Sequence, residues 1–221
     1  MTIETSNLHI RQFSKHEHLA RAGDPQRVVY KVQEGWACRY SVIPDGRRQI
    51  TAIFLPGDFC EPQWLLAGKA QLPIIAITPM TVTEIPLENI YGQPGKGVQD
   101  LLGAMLEAFN RQTDWIVSLG RKSAKARVRD FLLELHRRLK VSGHVSAHRC
   151  TIPLTQQDMA DVLGLTAVHL NRVLMDLRKS GAISLRGKTL SLGRNERGQT
   201  EPATSGGPHM SLQPAREPML A

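Results

Sequence analysis

The segment from Leu154 to Leu192 carries polar side chains at spacings suited to gripping a polyanion. Thr155 stands three residues before Asp158, the hydroxyl-then-acid spacing of a helix capping box. Met159, Ala160, Val162 and Leu163 give the following helix an apolar side. Gly164 falls where a tight turn needs a residue free to take positive φ, and Thr166 can cap a second helix. That helix has an apolar set, Val168, Leu170, Val173, Leu174 and Leu177, with His169, Asn171, Arg172 and Asp176 between. The pattern predicts a helix-turn-helix whose second helix is free to enter the major groove of DNA. The Arg172 guanidinium can grip O6 and N7 of one guanine together, and His169 and Asn171 beside it can reach bases or phosphates. Gly181 stops the helix. Ala182–Leu185 and Thr189–Leu192 then predict a two-stranded wing with the basic tip Arg186-Gly187-Lys188. The plainer alternative is a helical hairpin followed by a terminal β-hairpin.

The charge balance agrees with a polyanion partner. The chain has 221 residues and a formal net charge of +8. Residues 1–99 hold 10 Lys/Arg against 9 Asp/Glu, residues 100–193 hold 15 against 8, and residues 194–221 hold 3 against 3. A nearly neutral first half is thus joined to a basic second half, which suggests that the second half meets a polyanion.

Other elements must position that reading head. Turn signals recur about every 10–12 residues from Gly23 to Pro79, the rhythm of short antiparallel strands in a barrel or sandwich. Between them lie the strand-like runs Val28–Val32, Trp36–Ile43 and Gln49–Phe54, after a first stretch of 22 residues that suggests a short helix and a lead-in strand. The period then changes. Val98, Leu102, Met105, Phe109, Gln112, Ile116 and Leu119 step by 4 and 3 in alternation, a heptad seam on one long helix. Such a seam predicts a parallel two-helix homodimer with Gln112 as a polar layer, the alternative being packing on its own barrel. Gly120 should end the helix, Arg121–Lys125 form a basic hinge, and Ala126–Leu139 form a second helix with Val128, Phe131, Leu132, Leu135 and Leu139 inward. The division expected is a β domain over 1–97, a dimerisation helix over 98–120, a DNA-binding domain over 121–193 and a disordered tail over 194–221.

These features resemble the Crp/Fnr family of bacterial transcription regulators over about residues 20–193. The most specific stretch runs from Leu154 through Leu-Gly-Leu-Thr (163–166) to Leu174, followed by Gly181–Leu190. Glu34-Gly35, Pro44–Gln49 and Leu55-Pro56-Gly57-Asp58-Phe59 look like turns of that family's cyclic-nucleotide-binding-like β-roll. The implied fold is α+β: an antiparallel jelly-roll-like β-roll, a long dimerisation helix and a winged helix-turn-helix. The resemblance implies a sequence-specific regulator of double-stranded DNA, with RNA polymerase as a further partner. Arg172 takes the place of the family's recognition-helix arginine, and Thr155, Gln157, Thr166 and Lys188 match phosphate-contacting positions. Better-known branches carry glutamate where Val168 stands, so their operator does not transfer.

The sensor half departs further. The family's nucleotide-binding cassette places an arginine against the cyclic phosphate, where this chain has Gln71-Leu72-Pro73-Ile74. Glu61 could serve a ribose, and Cys60 beside it is the better candidate for a redox thiol, so these two mark a possible effector pocket. Cys38 reads as a small core residue. Without a phosphate cation no cyclic nucleotide is expected, and without cysteines before Cys38 no iron–sulfur cluster. The signal is left as an unknown small molecule or redox change. His16 and His18, and His144, His148 and Cys150, lack a full metal-ligand set. No nucleophile-elbow, Walker or zincin motif points to an enzyme, and the strands lack the histidines of a cupin. A β-roll adaptor that binds protein is the remaining rival. Three widely spaced cysteines, an odd number, and no signal-peptide pattern or apolar span suggest a reduced, cytoplasmic protein with no membrane segment.

Overall fold

The computed structural model describes residues 9–91 and 96–193. The expected tail over 194–221 lies outside the described residues. The N-terminal half is mostly β. β1 (His9–Phe13), β2 (His18–Ala20), β3 (Val28–Glu34), β4 (Ala37–Val42), β5 (Arg48–Phe54) and β6 (Phe59–Cys60) precede a one-turn helix, α1 (Trp64–Ala67). β7 (Ile74–Ala76) and β8 (Met80–Pro86) complete two antiparallel four-stranded sheets, ordered β1-β8-β3-β6 and β2-β7-β4-β5. Of the first 22 residues, where a short helix and a lead-in strand are expected, the described part, from His9 on, forms the two strands β1 and β2, and residues 1–8 lie outside the described residues. Each strand is too short to show a period by itself, and each is held as a strand by its partner, β8 or β7. Gly35 joins β3 to β4 at φ 85°, where an added Cβ would lie 2.4 Å from the Pro79 carbonyl oxygen, so only glycine fits.

After α2 (Leu87–Tyr91), the long helix α3 runs from Lys96 to Arg121 and α4 from Ala124 to Val141. Gly120 thus lies inside α3. The hinge shrinks to Lys122 and Ser123, because the Ser123 side chain caps α4 by accepting from the Ala126 amide. α4 buries Leu133 and His136 besides the expected Val128, Leu132, Leu135 and Leu139, while Phe131 is half-buried and stacks on Trp115 with ring centres 6.4 Å apart.

The C-terminal part consists of β9 (Arg149–Thr151), α5 (Gln156–Leu163), α6 (Ala167–Lys179), β10 (Ile183–Arg186) and β11 (Thr189–Leu192). The wing has three strands, ordered β10-β11-β9, rather than two. β9 shows no alternation of its own and forms by pairing Cys150 with Leu190. One apolar cluster joins Trp36, Cys38, Ile50 and Ile53 of the roll to Leu132, Met159, Val162 and Leu174 of the helices, so the two halves share a core. No helix among the described residues is long and apolar enough to cross a membrane.

Candidate nucleic-acid interface

α5 begins where the sequence requires it. Thr155 caps it by accepting from the Asp158 amide at 3.0 Å, and the Asp158 carboxylate accepts from the Thr155 amide, completing the capping box. Met159, Ala160, Val162 and Leu163 are buried. Gly164 takes φ 61° at the turn, and Thr166 caps α6 by accepting from the His169 amide. Leu170, Val173, Leu174 and Leu177 hold α6 against α4 and α5.

The face left outward on α6 carries Val168, His169, Asn171, Arg172, Met175 and Asp176. Arg172 makes no hydrogen bond or ion pair among the described residues, so its guanidinium is available to a ligand. Asn171 donates weakly to Gln156 at 3.3 Å, tying the second helix to the first. Val168 departs from the expected apolar set: it is 64% exposed. It lies in the first turn of α6, and Leu170 is the first residue of that helix to be buried.

The expected phosphate contacts lie on neighbouring exposed ground. Thr155 and Gln157 stand at the start of α5, Thr166 at the start of α6 and Lys188 at the wing tip beyond Gly187. Gln157 also donates to Asp161 at 2.6 Å. Beneath this rim Arg48, from the roll, bonds Asp158 at 2.5 Å and Asp161 at 2.7 Å. Burial alone would raise the Asp158 carboxyl. The Thr155 bonds and the Arg48 cation outweigh it and hold that carboxyl below its ordinary value. The two acids of α5, Asp158 in its first turn and Asp161 one turn on, are thereby offset by a cation from the β-roll. Sequence reasoning missed this partner, although the Arg47-Arg48 step at a hairpin base was a visible signal.

The heptad positions divide between two faces of α3. Leu102, Phe109, Ile116 and Leu119 are exposed, joined by Leu106 and Val117, which the heptad left out. Met105 and Gln112 are half-buried toward the chain's own cavity, whose rim Phe109 and Val117 also reach, and Val98 packs beside Val29, Ile85 and Leu101. The outward apolar face is therefore rotated from the expected seam, because α3 carries a second apolar stripe, including Leu101 and Trp115, that serves its own protomer.

A cavity of about 1310 Å³ lies between the roll, α3 and α4. Glu61 lines it, yet its carboxylate is taken up by Arg39, which donates to both oxygens at 2.7 and 2.9 Å, and by Gln63. Burial raises the Glu61 carboxyl and the Arg39 cation opposes the rise. Cys60, the better candidate for a redox thiol, is 0% exposed; strand alternation at β6 turns it into the cluster of Tyr30 and Trp64. Burial raises its thiol well above the ordinary value, and Cys38 is pushed to about 12. Gln71 and Leu72 line the cavity where the arginine of a nucleotide-binding cassette would stand, and Arg39 is already paired with Glu61, while Arg111, Lys122, Arg127, Arg137 and Arg138 reach the same cavity from the helical side. Among the described residues no group of three or more His, Cys, Asp or Glu is placed to hold a metal ion.

Comparison with known proteins bears on both halves. A family model described as a Crp-like helix-turn-helix domain matches residues 126–194, and one described as a cyclic nucleotide-binding domain matches residues 10–92. The nitrogen fixation regulation protein FixK of Bradyrhizobium diazoefficiens is 32% identical over 176 residues, 78% of this chain and 73% of that one. The fumarate and nitrate reduction regulatory protein of Escherichia coli is 28% identical over 189 residues, 84% and 75% of the two chains. The solved structure of FixK2 from Bradyrhizobium japonicum matches with a TM-score of 0.77 at 28% identity, over 90% of this chain and all of that one.

Proposed function

The chain belongs to the Crp/Fnr family of transcription regulators, and from that premise we propose how it works: as a homodimer whose two α6 helices enter successive major grooves of an imperfect palindrome. DNA binding through a Crp-type helix-turn-helix, beside a cyclic-nucleotide-binding-like domain, is the function of the family. The observation that carries the docking is the outward face of α6, where Arg172 stands unpaired among the described residues between His169, Asn171 and Met175. In this reading Arg172 contacts a guanine, with His169 and Asn171 on flanking bases. Thr155, Gln157, Thr166 and Lys188 hold phosphates and fix the register. The exposed apolar side chains of α3 support pairing of two copies, since one helix otherwise leaves Leu102, Leu106, Phe109 and Ile116 in water.

The signal enters through the roll, by a route that does not use a cyclic nucleotide or an iron–sulfur cluster. The Arg39–Glu61 pair and the buried cysteines support that reading. The protein acts on DNA with RNA polymerase as its further partner, in the cytoplasm, and without chemistry of its own. Selection of bound sequences from random duplex DNA tests the proposal. A two-fold motif with half-sites roughly 34–36 Å apart is expected; recovery of unrelated sequences at the input frequency overturns it.

A further inference from the structure

We propose that Val168 is a base-reading residue that recognises the C5-methyl group of a thymine in each half-site of the operator. The inference rests on the docking of α6 in the major groove. Val168 is 64% exposed on a helix whose other valine and all of whose leucines are buried, so it has no place in the core. It stands in the first turn of α6, two residues after the capping Thr166. It precedes Arg172 by four residues and Met175 by seven, so the three share one face of the helix. An apolar side chain beside the groove-reading arginine is thus presented to the same surface.

The chemistry of that surface narrows what Val168 can prefer. In the major groove the thymine methyl is the apolar feature of the base edges, whereas cytosine presents an amino donor. An isopropyl group has neither donor nor acceptor. Packed on a cytosine it would leave the N4 amino group dehydrated and unpaired, while on a thymine it covers a methyl. Branching at Cβ also leaves Val168 few rotamers, so little freedom is lost when it is fixed. The base concerned lies next to the one Arg172 reads, because the two residues are one helical turn apart.

The test uses the full-length protein and the sequence recovered by selection. Each thymine of the half-site is replaced by uracil, which removes the methyl and nothing else. One thymine per half-site should show a loss of about fourfold in affinity, the value of one methyl-sized group removed from water. In Val168→Ala the same replacement should change affinity less than twofold, and in Arg172→Ala the uracil loss should persist. Val168→Glu should shift preference at that base from thymine to cytosine, since a carboxylate accepts from N4. The alanine lies on an exposed helical surface and favours helix, so folding is retained. Equal affinity for uracil and thymine at every position overturns the inference, as does an undiminished uracil loss in Val168→Ala. If a two-fold sequence is selected and Arg172→Ala flattens one base pair, the docking stands whatever uracil does. If no sequence is selected, both fall.

Discussion

Arg48 and Asp158, 110 residues apart in the chain, meet at 2.5 Å across the boundary between the β-roll and the first helix of the DNA-binding motif. The same guanidinium holds Asp161, and Gln49 beside it donates to the Val162 carbonyl at 3.0 Å. Arg138 makes a parallel link, from α4 to Asp58 and to the Ile53 carbonyl. The sensor half therefore grips the DNA-reading half through directed charge as well as apolar packing.

Removing that grip should be measurable as stability. Arg48→Ala leaves two mostly buried carboxylates without their cation, at a cost of roughly 1–3 kcal/mol in urea unfolding. Asp158→Asn also weakens the capping box, so the Arg48–Asp158 coupling is best isolated by a double-mutant cycle. A coupling indistinguishable from zero would mean that the bridge contributes nothing to holding the halves together.

Readout separates base recognition from phosphate binding. Arg172→Ala should cost roughly 1–3 kcal/mol per half-site and flatten preference at one base pair of each, with little change on random DNA. Lys188→Ala should weaken specific and random binding together and lower the salt slope by about 1 for each phosphate it no longer neutralises. The deciding quantity is the ratio of specific to non-specific affinity. The docking is wrong if Arg172→Ala leaves it unchanged while Lys188→Ala collapses it.

Assembly should depend on the outward face of α3. Phe109→Glu with Ile116→Glu places like charges where two copies would meet, on side chains that contribute little to the protomer's own core. Sedimentation should then give the 24.6 kDa protomer mass. Operator affinity should fall by roughly 10²–10⁴-fold as the two heads lose their linkage. A double variant that still sediments as a dimer places the seam elsewhere.

A pH effect should come from His136, which is buried in α4 with the His148 backbone beside its ring. Burial lowers its pKa below 6.5; the His148 backbone works the other way, and the charges of His148 and Lys140 add to the lowering. The unfolded chain therefore takes up a proton near pH 6.5 that the folded chain refuses until lower pH. Stability present above 6.5 should be lost as pH falls from 6.5 toward the folded value. His136→Leu should flatten that part of the melting-temperature profile. An unchanged profile would show that His136 does not titrate with unfolding.

The reading head was the most legible part of the sequence because its signals are local. Thr155 with Asp158, Gly164 and Thr166 each act within one turn of backbone, and their conformations follow from side-chain chemistry alone. Val168 was misplaced because periodicity assigns residues to a stripe, while the edge of that stripe depends on where α5 ends. The heptad on α3 had the same weakness: spacing shows that apolar residues recur, and says nothing of which stripe the roll already covers. The pairings Arg39–Glu61 and Arg48–Asp158 were not legible, even where the Arg47-Arg48 step marked a cation at a hairpin base, because the partners lie 22 and 110 residues apart and only the folded structure brings them together. β9 was hidden for the same reason, being a strand only by virtue of β11.

The core that runs unbroken from roll to helices bears on how this protein can be recombined. Cutting the chain at Lys122–Ser123, where the helices part, would make a tempting junction for grafting the reading head onto a different sensor. The cut is clean along the backbone and ragged through the interior, because Met159, Val162 and Leu174 share their apolar cluster with Trp36, Ile50 and Ile53. A graft that keeps residues 123–193 alone would expose that surface to solvent. A transplantable reading head has to carry the β4–β5 hairpin's inner face, or an equivalent of it, along with the winged helix.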